Sequence, residues 1–156
     1  MSTAPITHQP RIVVGVDGSP TSKTALRWAI HQAELTGSTV DAVLAWEYPA
    51  AIAGFGWAPV AVTDDAPFET LADKTLAGTI SEVAGPDPAA TINPVLANGY
   101  PAAVLLHAAE GADLLVVGSR GHSEFTDALL GSVSQNCAHH AKCPVVIIRP
   151  DQPASR

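Results

Sequence analysis

Residues 112–134 read ADLLVVGSRGHSEFTDALLGSVS, and the fold is decided where the apolar run stops. Residues 112–118 read as a strand whose part after Asp113, LLVVG, is continuously apolar, the pattern of a strand covered on both faces. Gly118 and Gly121 follow at once. Nine residues later Gly131-Ser132 introduce a helical pattern that runs to about residue 141. Strand, glycine turn and helix start in succession make one strand–loop–helix unit, and repeated units of this kind build a parallel sheet with helical crossovers.

The same alternation extends to both ends of the chain. Residues 11–16 (RIVVGV) are a second continuous apolar run rich in β-branched residues, ending in Asp17-Gly18-Ser19-Pro20. Ser19 suits an N-cap and Pro20 the first helical position. The helix that follows runs to about residue 35, with Ala25, Leu26, Trp28, Ala29, Ile30 and Ala33 as its inward stripe and Gly37 as its stop. Residues 40–46 (VDAVLAW) read as the next strand, and residues 68–83 as a weaker helix carrying Leu71, Leu76 and Ile80. Its Gly78 lowers helix propensity by about 1 kcal/mol. Residues 91–97 (TINPVLA) are a strand containing Pro94, which cannot donate to a ladder and therefore belongs at a sheet edge. Gly99-Tyr100-Pro101 opens a helix to about residue 110, and residues 145–149 (VVIIR) close the series.

These elements define an α/β domain with a parallel sheet spanning residues 11–150, flanked by a loose tail at 1–10 and another at 151–156. The first and fourth strands, apolar throughout, belong side by side in the middle. Strand order then reverses between them, and open α/β sheets bind ligands at the carboxyl ends of strands at such a reversal. The loop Gly15-Val16-Asp17 meets the loop Gly118–Gly121 there. Residues 48–68 show no clear period and read as a long surface excursion, either a functional lid or disordered.

Composition narrows the function. The formal charge of −7 and the lack of any Lys/Arg stripe argue against a nucleic-acid partner. No apolar run approaches the roughly 18 residues of a membrane helix, and the polar start MSTAPITHQP is no signal peptide. The expected setting is cytoplasmic. Cys137 and Cys143 match neither a zinc spacing nor a disulfide framework and read as buried or inert thiols. His139-His140 point in different directions on a helix and read as surface residues. His122 lies in the glycine loop, where it is either solvated or in contact with an anion. Asp64-Asp65 lacks a spaced carboxylate partner. Ser123 and Thr126 lie within the nine-residue excursion as possible phosphorylation sites.

Glycine lets backbone N–H groups approach a phosphate with no Cβ in the way. Gly131-Ser132 adds the free N–H groups and positive dipole end of a helix, and the hydroxyls of Ser132 and Ser134 are further donors. The alternative for each glycine taken singly is a plain turn or cap. Neither G-x-x-x-x-G-K-[ST] nor G-x-G-x-x-G occurs. No lysine lies in the loop, and Arg120 is its one cation. Such a site can hold a nucleotide but is poorly equipped to split one.

Gly118-x2-Gly121-x9-Gly131-Ser132 resembles, without a gap, the ATP-binding signature G-2x-G-9x-G-[ST] of universal stress proteins. VVGVDGS, DLLVVGSRG and CPVVIIRP resemble that family's first strand, fourth strand with its loop, and last strand, so the likeness covers almost the whole chain. Leu44-Ala45-Trp46 fits the style of actinobacterial members. The resemblance implies a five-stranded parallel sheet in order 3-2-1-4-5 with helices on both faces, a Rossmann-like domain of the adenine nucleotide alpha hydrolase type. It implies an ATP-binding regulatory module of the stress response. It also implies a homodimer, often joined through the last strand, Val145 to Arg149, an apolar edge that soluble proteins avoid or pair.

Carried over by position, Asp17 would face the ribose or a water on a bound metal such as magnesium. Val16 and Trp46 would border the adenine, the Trp46 ring either entering the cleft or leaving only its backbone there. Gly118, Ser119, Gly121, Gly131, Ser132 and Val133 would wrap the ribose and phosphates. Gly15, Val117, Arg120 and Ser134 complete the expected nucleotide site, with no catalytic residue among them. Binding of AMP or cyclic AMP, and slow ATP hydrolysis, are the alternatives.

Overall fold

The computed structural model describes residues 8–47, 66–121 and 130–150. Five strands alternate with helices: β1 (Arg11–Gly15), α1 (Pro20–Thr36), β2 (Thr39–Trp46), α2 (Ala66–Ala84), β3 (Ile92–Asn98), α3 (Pro101–Ala108), β4 (Leu114–Gly118), α4 (Ser132–His140) and β5 (Val145–Ile148). All pairings are parallel, in the order β3-β2-β1-β4-β5. The sheet order expected from the resemblance is therefore the observed one. Ile12 pairs with Leu114 and Val14 with Val116, so the two most apolar strands do lie together at the centre. Pro94 pairs in register with Ala42 on the outermost strand, where its missing N–H disturbs no ladder on the far side.

The period-two pleat divides the core between the two faces of the sheet. Ile12, Val14, Val40, Ala42, Leu44 and Val116 pack against α1 and α2. Val13, Val43, Leu115 and Val117 face the other way, against Leu105 of α3 and Cys137 of α4. Strands this apolar cannot alternate with polar residues because both faces are covered. Full burial of Leu26, Leu76 or Leu115 contributes about 1.5–3 kcal/mol each.

Helix ends follow local chemistry. The Ser19 side chain accepts from the Ser22 backbone N–H at 3.2 Å, Pro20 occupies the first helical position, and Gly37 ends α1 at φ 70°. Small differences from expectation have clear reasons. The helix α2 begins at Ala66, so the last residues assigned to the 48–68 excursion already form its first turn. Leu71, expected on its inward side, is 65% exposed, whereas Ala72, Leu76 and Thr79 are buried, so the stripe turns by one position. On α1 the small Thr21 and Ser22 are buried at the first turn, while Trp28 is only half-buried. The excursion proper, residues 1–7 and 151–156 of the two tails, Asp64-Asp65, His122, Ser123 and Thr126 lie outside the described residues. Residues 8–10, expected to be loose, are tied down by the His8–Asp113 contact and by the Pro10 carbonyl, which accepts from the Thr39 N–H.

At the amino ends of β1 and β4 a charged cluster ties the layers together. Arg11 Nη1 donates to Asp41 Oδ2 and to the Ala108 carbonyl, both at 2.9 Å, and Nη2 donates to the Glu110 carbonyl at 2.8 Å. A cation thus satisfies carbonyls at the end of α3. Asp113 accepts from the Arg11 backbone N–H at 2.8 Å and lies 3.0 Å from His8 Nε2. The Arg11 backbone bond first, then His8, hold its carboxyl below the ordinary 3.8. A depressed native value means the unfolded chain binds more protons as the pH falls, so this stabilisation is present above about pH 3.8 and lost through the lower native value. Asp113→Asn is expected to melt below the wild type at pH 5–7. The difference should shrink as melting scans descend through pH 3.8, and a gap unchanged at pH 2–3 contradicts the assignment.

Cys137 and Cys143 are free. Burial, then the neighbouring Cys143 charge, push the Cys137 thiol up to about 11, so it stays protonated and unreactive at neutral pH. His139 and His140 are exposed, as expected of adjacent helix residues. Among the described residues no cluster of His, Cys, Asp and Glu could hold a metal ion, and no helix is long and apolar enough to cross a membrane.

Candidate functional site

Above the carboxyl ends of β1 and β4, where strand order reverses, lies a crevice of about 390 Å³. Gly15, Val16 and Asp17 enter it from the end of β1, and Val117 through Gly121 from the end of β4. Gly131 through Ser134 enter it at the start of α4. The structure thus brings together three turns that are far apart in sequence. Arg120 is the only side-chain cation among the described residues that line it.

Each glycine here is explained by what a Cβ would meet. At Gly121 it would lie 2.9 Å from Asp17 Oδ2, so the turn after β4 touches the carboxylate after β1. At Gly131 it would lie 3.3 Å from the Ser119 carbonyl. At Gly118 it would lie 2.9 Å from Thr21 Cγ2 and 3.3 Å from the Arg120 carbonyl. Gly118 therefore has a packing role beyond any ligand, since α1 could not sit so close to β4 over a larger residue. Gly118→Ala is expected to cost about 1–3 kcal/mol of stability, measurable by urea unfolding. A variant as stable as the wild type contradicts the packing.

Asp17 is held by its own turn. Its Oδ1 accepts from the Ser19 backbone N–H at 2.8 Å, and its backbone N–H donates to Ser22 Oγ at 3.3 Å. At α4, Gly131 occupies the N-cap position and no side chain caps the helix among the described residues. The first turn presents N–H groups and the positive end of the helix dipole toward the crevice. Ser134 behaves differently from the expectation that its hydroxyl is a free donor. It is 1% exposed, and its Oγ donates to the carbonyls of Ser119 (3.2 Å) and Gly131 (3.0 Å).

Every expected site residue lines the crevice except Trp46. The pleat explains the exception: Trp46 shares the side of β2 that carries Leu44 and packs toward α1 and α2, while Ala45 shares the crevice side with Val43. The tryptophan ring neither stacks in the crevice nor blocks it. The carbonyl of Trp46 accepts from the Gly99 N–H at 2.9 Å. Ser22, Val43, Ala45, Pro101 and Leu105 are lining residues that the sequence reading did not single out. Alternation along β2 could have identified Ala45. Leu105 fills the space that a side chain at Gly15 would need, 3.0 Å from its Cβ position, and only packing brings it there.

The crevice thus has two characters. Its apolar wall is built from Val16, Val43, Ala45, Pro101 and Leu105; its polar side is built from glycine turns and a helix N-terminus. That division matches a ligand with a flat apolar part and an anionic part.

Comparison with known proteins agrees in fold. The profile described as "Universal stress protein family" matches residues 10–149. A universal stress protein of Mycobacterium tuberculosis is 35% identical over 150 residues, covering 94% of this chain and 46% of its own length. The chain spans about half the length of the curated relatives it matches. Among solved structures, a universal stress protein in complex with cAMP is 25% identical with a TM-score of 0.68, covering 91% of this chain and 98% of the other. The protein UspA from Lactobacillus plantarum, 21% identical, superposes with a TM-score of 0.72 over 92% of this chain and 99% of its own, which bears on the fold alone.

Proposed function

The chain belongs to the universal stress protein family, and on that premise we propose that it binds ATP in the crevice at the β1/β4 switch point. It would act there as a nucleotide-dependent regulatory module. The observation that carries this reading is the convergence of the Gly15–Asp17, Gly118–Gly121 and Gly131–Ser134 turns on one space, with a helix N-terminus at its polar side. Backbone amides would grip the phosphates, and the wall containing Val43, Ala45 and Leu105 would take the adenine. Asp17 would meet the ribose or a magnesium-bound water. The residues suit such a ligand because the absence of a Cβ lets the turns close up, Gly121 on Asp17 Oδ2 and Gly131 on the Ser119 carbonyl, around one space.

In this reading the protein is a binder rather than a nucleotidase. No lysine is among the described residues that line the crevice. We further propose a homodimer paired along β5. Among the described strands β5 pairs only with β4, and each of its residues from Val145 to Ile148 is partly exposed, leaving an apolar edge for a second copy.

The cAMP-bound relative favours a second reading, in which the ligand carries a single cyclic phosphate. Calorimetry with ATP, AMP and cyclic AMP separates the two, together with mass spectrometry of any co-purified nucleotide. ATP is expected to bind at least tenfold more tightly than cyclic AMP. The reverse order favours the second reading, and no binding of any of the three rejects the site. Sustained ATP turnover that disappears in Asp17→Ala would establish an enzyme instead.

A further inference from the structure

An anion site built from backbone is only as good as the direction of its peptide planes. A plane turned one way offers an N–H; turned the other way it offers a carbonyl, which repels phosphate. The Ser119–Arg120 peptide borders the crevice, and its carbonyl is held by donors outside its own turn. The Gly131 backbone N–H donates to it at 2.7 Å and Ser134 Oγ at 3.2 Å. The preceding N–H, that of Ser119, donates to the Ile148 carbonyl at 2.7 Å, so the Ser119 residue is anchored on both sides. Because a trans peptide points its C=O and N–H in opposite directions, holding the Ser119 carbonyl on α4 turns the Arg120 N–H away from α4.

We propose that Ser134 is a positioning residue for the anion-binding loops, its buried hydroxyl fastening the turn after β4 to the first turn of α4. The inference rests on the nucleotide reading of the crevice and deepens it. The side chain is buried, and its one proton bridges the Ser119 and Gly131 carbonyls. Each of these already has a backbone donor, Gly131 N–H on the first and Gln135 N–H at 3.0 Å on the second. The hydroxyl is therefore not needed to satisfy a lone carbonyl. What it adds, beside the Gly131 N–H bond, is a second cross-tie between two turns that are joined through a nine-residue excursion and must keep a fixed separation to grip one anion. Without it the Ser119 carbonyl keeps, among the described donors, the Gly131 N–H, and its peptide plane is freer to rotate the carbonyl toward the ligand.

The test compares Ser134→Ala, Ser134→Cys and Ser134→Thr in the full chain, using ATP and adenosine as probes in calorimetry. Cysteine nearly preserves the volume but donates weakly, so it separates the hydroxyl from the packing. Ala and Cys are expected to weaken ATP about tenfold and to leave adenosine within twofold, because the tie acts at the phosphate end. Thr, which keeps the hydroxyl, is expected to restore most of the ATP affinity. Folded Ala and Cys variants that bind ATP like the wild type overturn the proposal. Equal losses for ATP and adenosine also overturn it, since they indicate a structural role alone. Should the wild type bind neither probe, the nucleotide reading fails, and hydrogen exchange of the Gly131 amide decides the tie by itself. Faster exchange in Ser134→Ala than in the wild type supports it, and unchanged exchange rejects it.

Discussion

Gly121→Glu is expected to lose ATP affinity by at least thirtyfold while melting within a few degrees of the wild type. Position 121 is exposed, so a longer side chain has room to leave the core undisturbed. Its first atom, however, points 2.9 Å from Asp17 Oδ2, into the place where the turns after β1 and β4 meet. A carboxylate introduced there and a ligand phosphate about 4 Å away repel by about 4 kcal/mol at an effective dielectric near 20. Solvent at this open position reduces that by about half. What remains, about 2 kcal/mol against an incoming polyphosphate, corresponds to roughly thirtyfold in affinity, before any obstruction of the crevice is counted. The charge argument has its own control. Gly121→Gln, equal in shape but uncharged, should bind several-fold more tightly than Gly121→Glu if like charges are the cause. A Gly121→Glu protein with unchanged calorimetric affinity removes Gly121 from the site.

The second large effect concerns the apolar wall. Ala45→Phe is expected to weaken both ATP and adenosine by about thirtyfold or more, since a phenyl ring would occupy the space proposed for the base. The figure follows from losing roughly 2 kcal/mol of base burial. The neighbouring change, Trp46→Phe, is expected to leave binding within about twofold, because that ring packs on the opposite side of β2 with Leu44. The pair of variants reads the pleat directly. Binding insensitive to residue 45 but lost on changing residue 46 would mean that the base lies elsewhere. Adenosine is the informative probe here, because it carries no phosphate and responds to the wall alone.

Much of this molecule could be read before any coordinate. Continuous apolar runs at 12–16 and 114–118 demand coverage on both faces, which leaves little choice but a central pair in a parallel sheet. Pro94 names an edge because it lacks a donor. The glycine spacing after β4 marks a turn followed by a helix start, and the loop after β1 is directed to the same end of the sheet by the shared direction of parallel strands. These are local or topological consequences of residue type, so they survive without knowledge of neighbours.

Other features were not legible. The sequence leaves open whether the Trp46 ring enters the crevice and does not single out Ala45, because a one-residue step along a strand reverses the face and a resemblance by position does not carry that parity. Leu71 appeared inward until packing turned the α2 stripe toward Ala72, Leu76 and Thr79. Ser134 looked like a ligand donor, yet its proton is directed to two carbonyls within the protein. By itself, then, the sequence determined the α/β class, the central strands, the Pro94 edge and the end of the sheet at which the glycine turns gather. Tertiary structure alone decided which side chains face the crevice, that Gly118 serves helix packing, and that Leu105 closes over Gly15. The physical reason is range: strand and turn preferences act within a few residues, whereas a cavity wall is defined by contacts between elements dozens of residues apart.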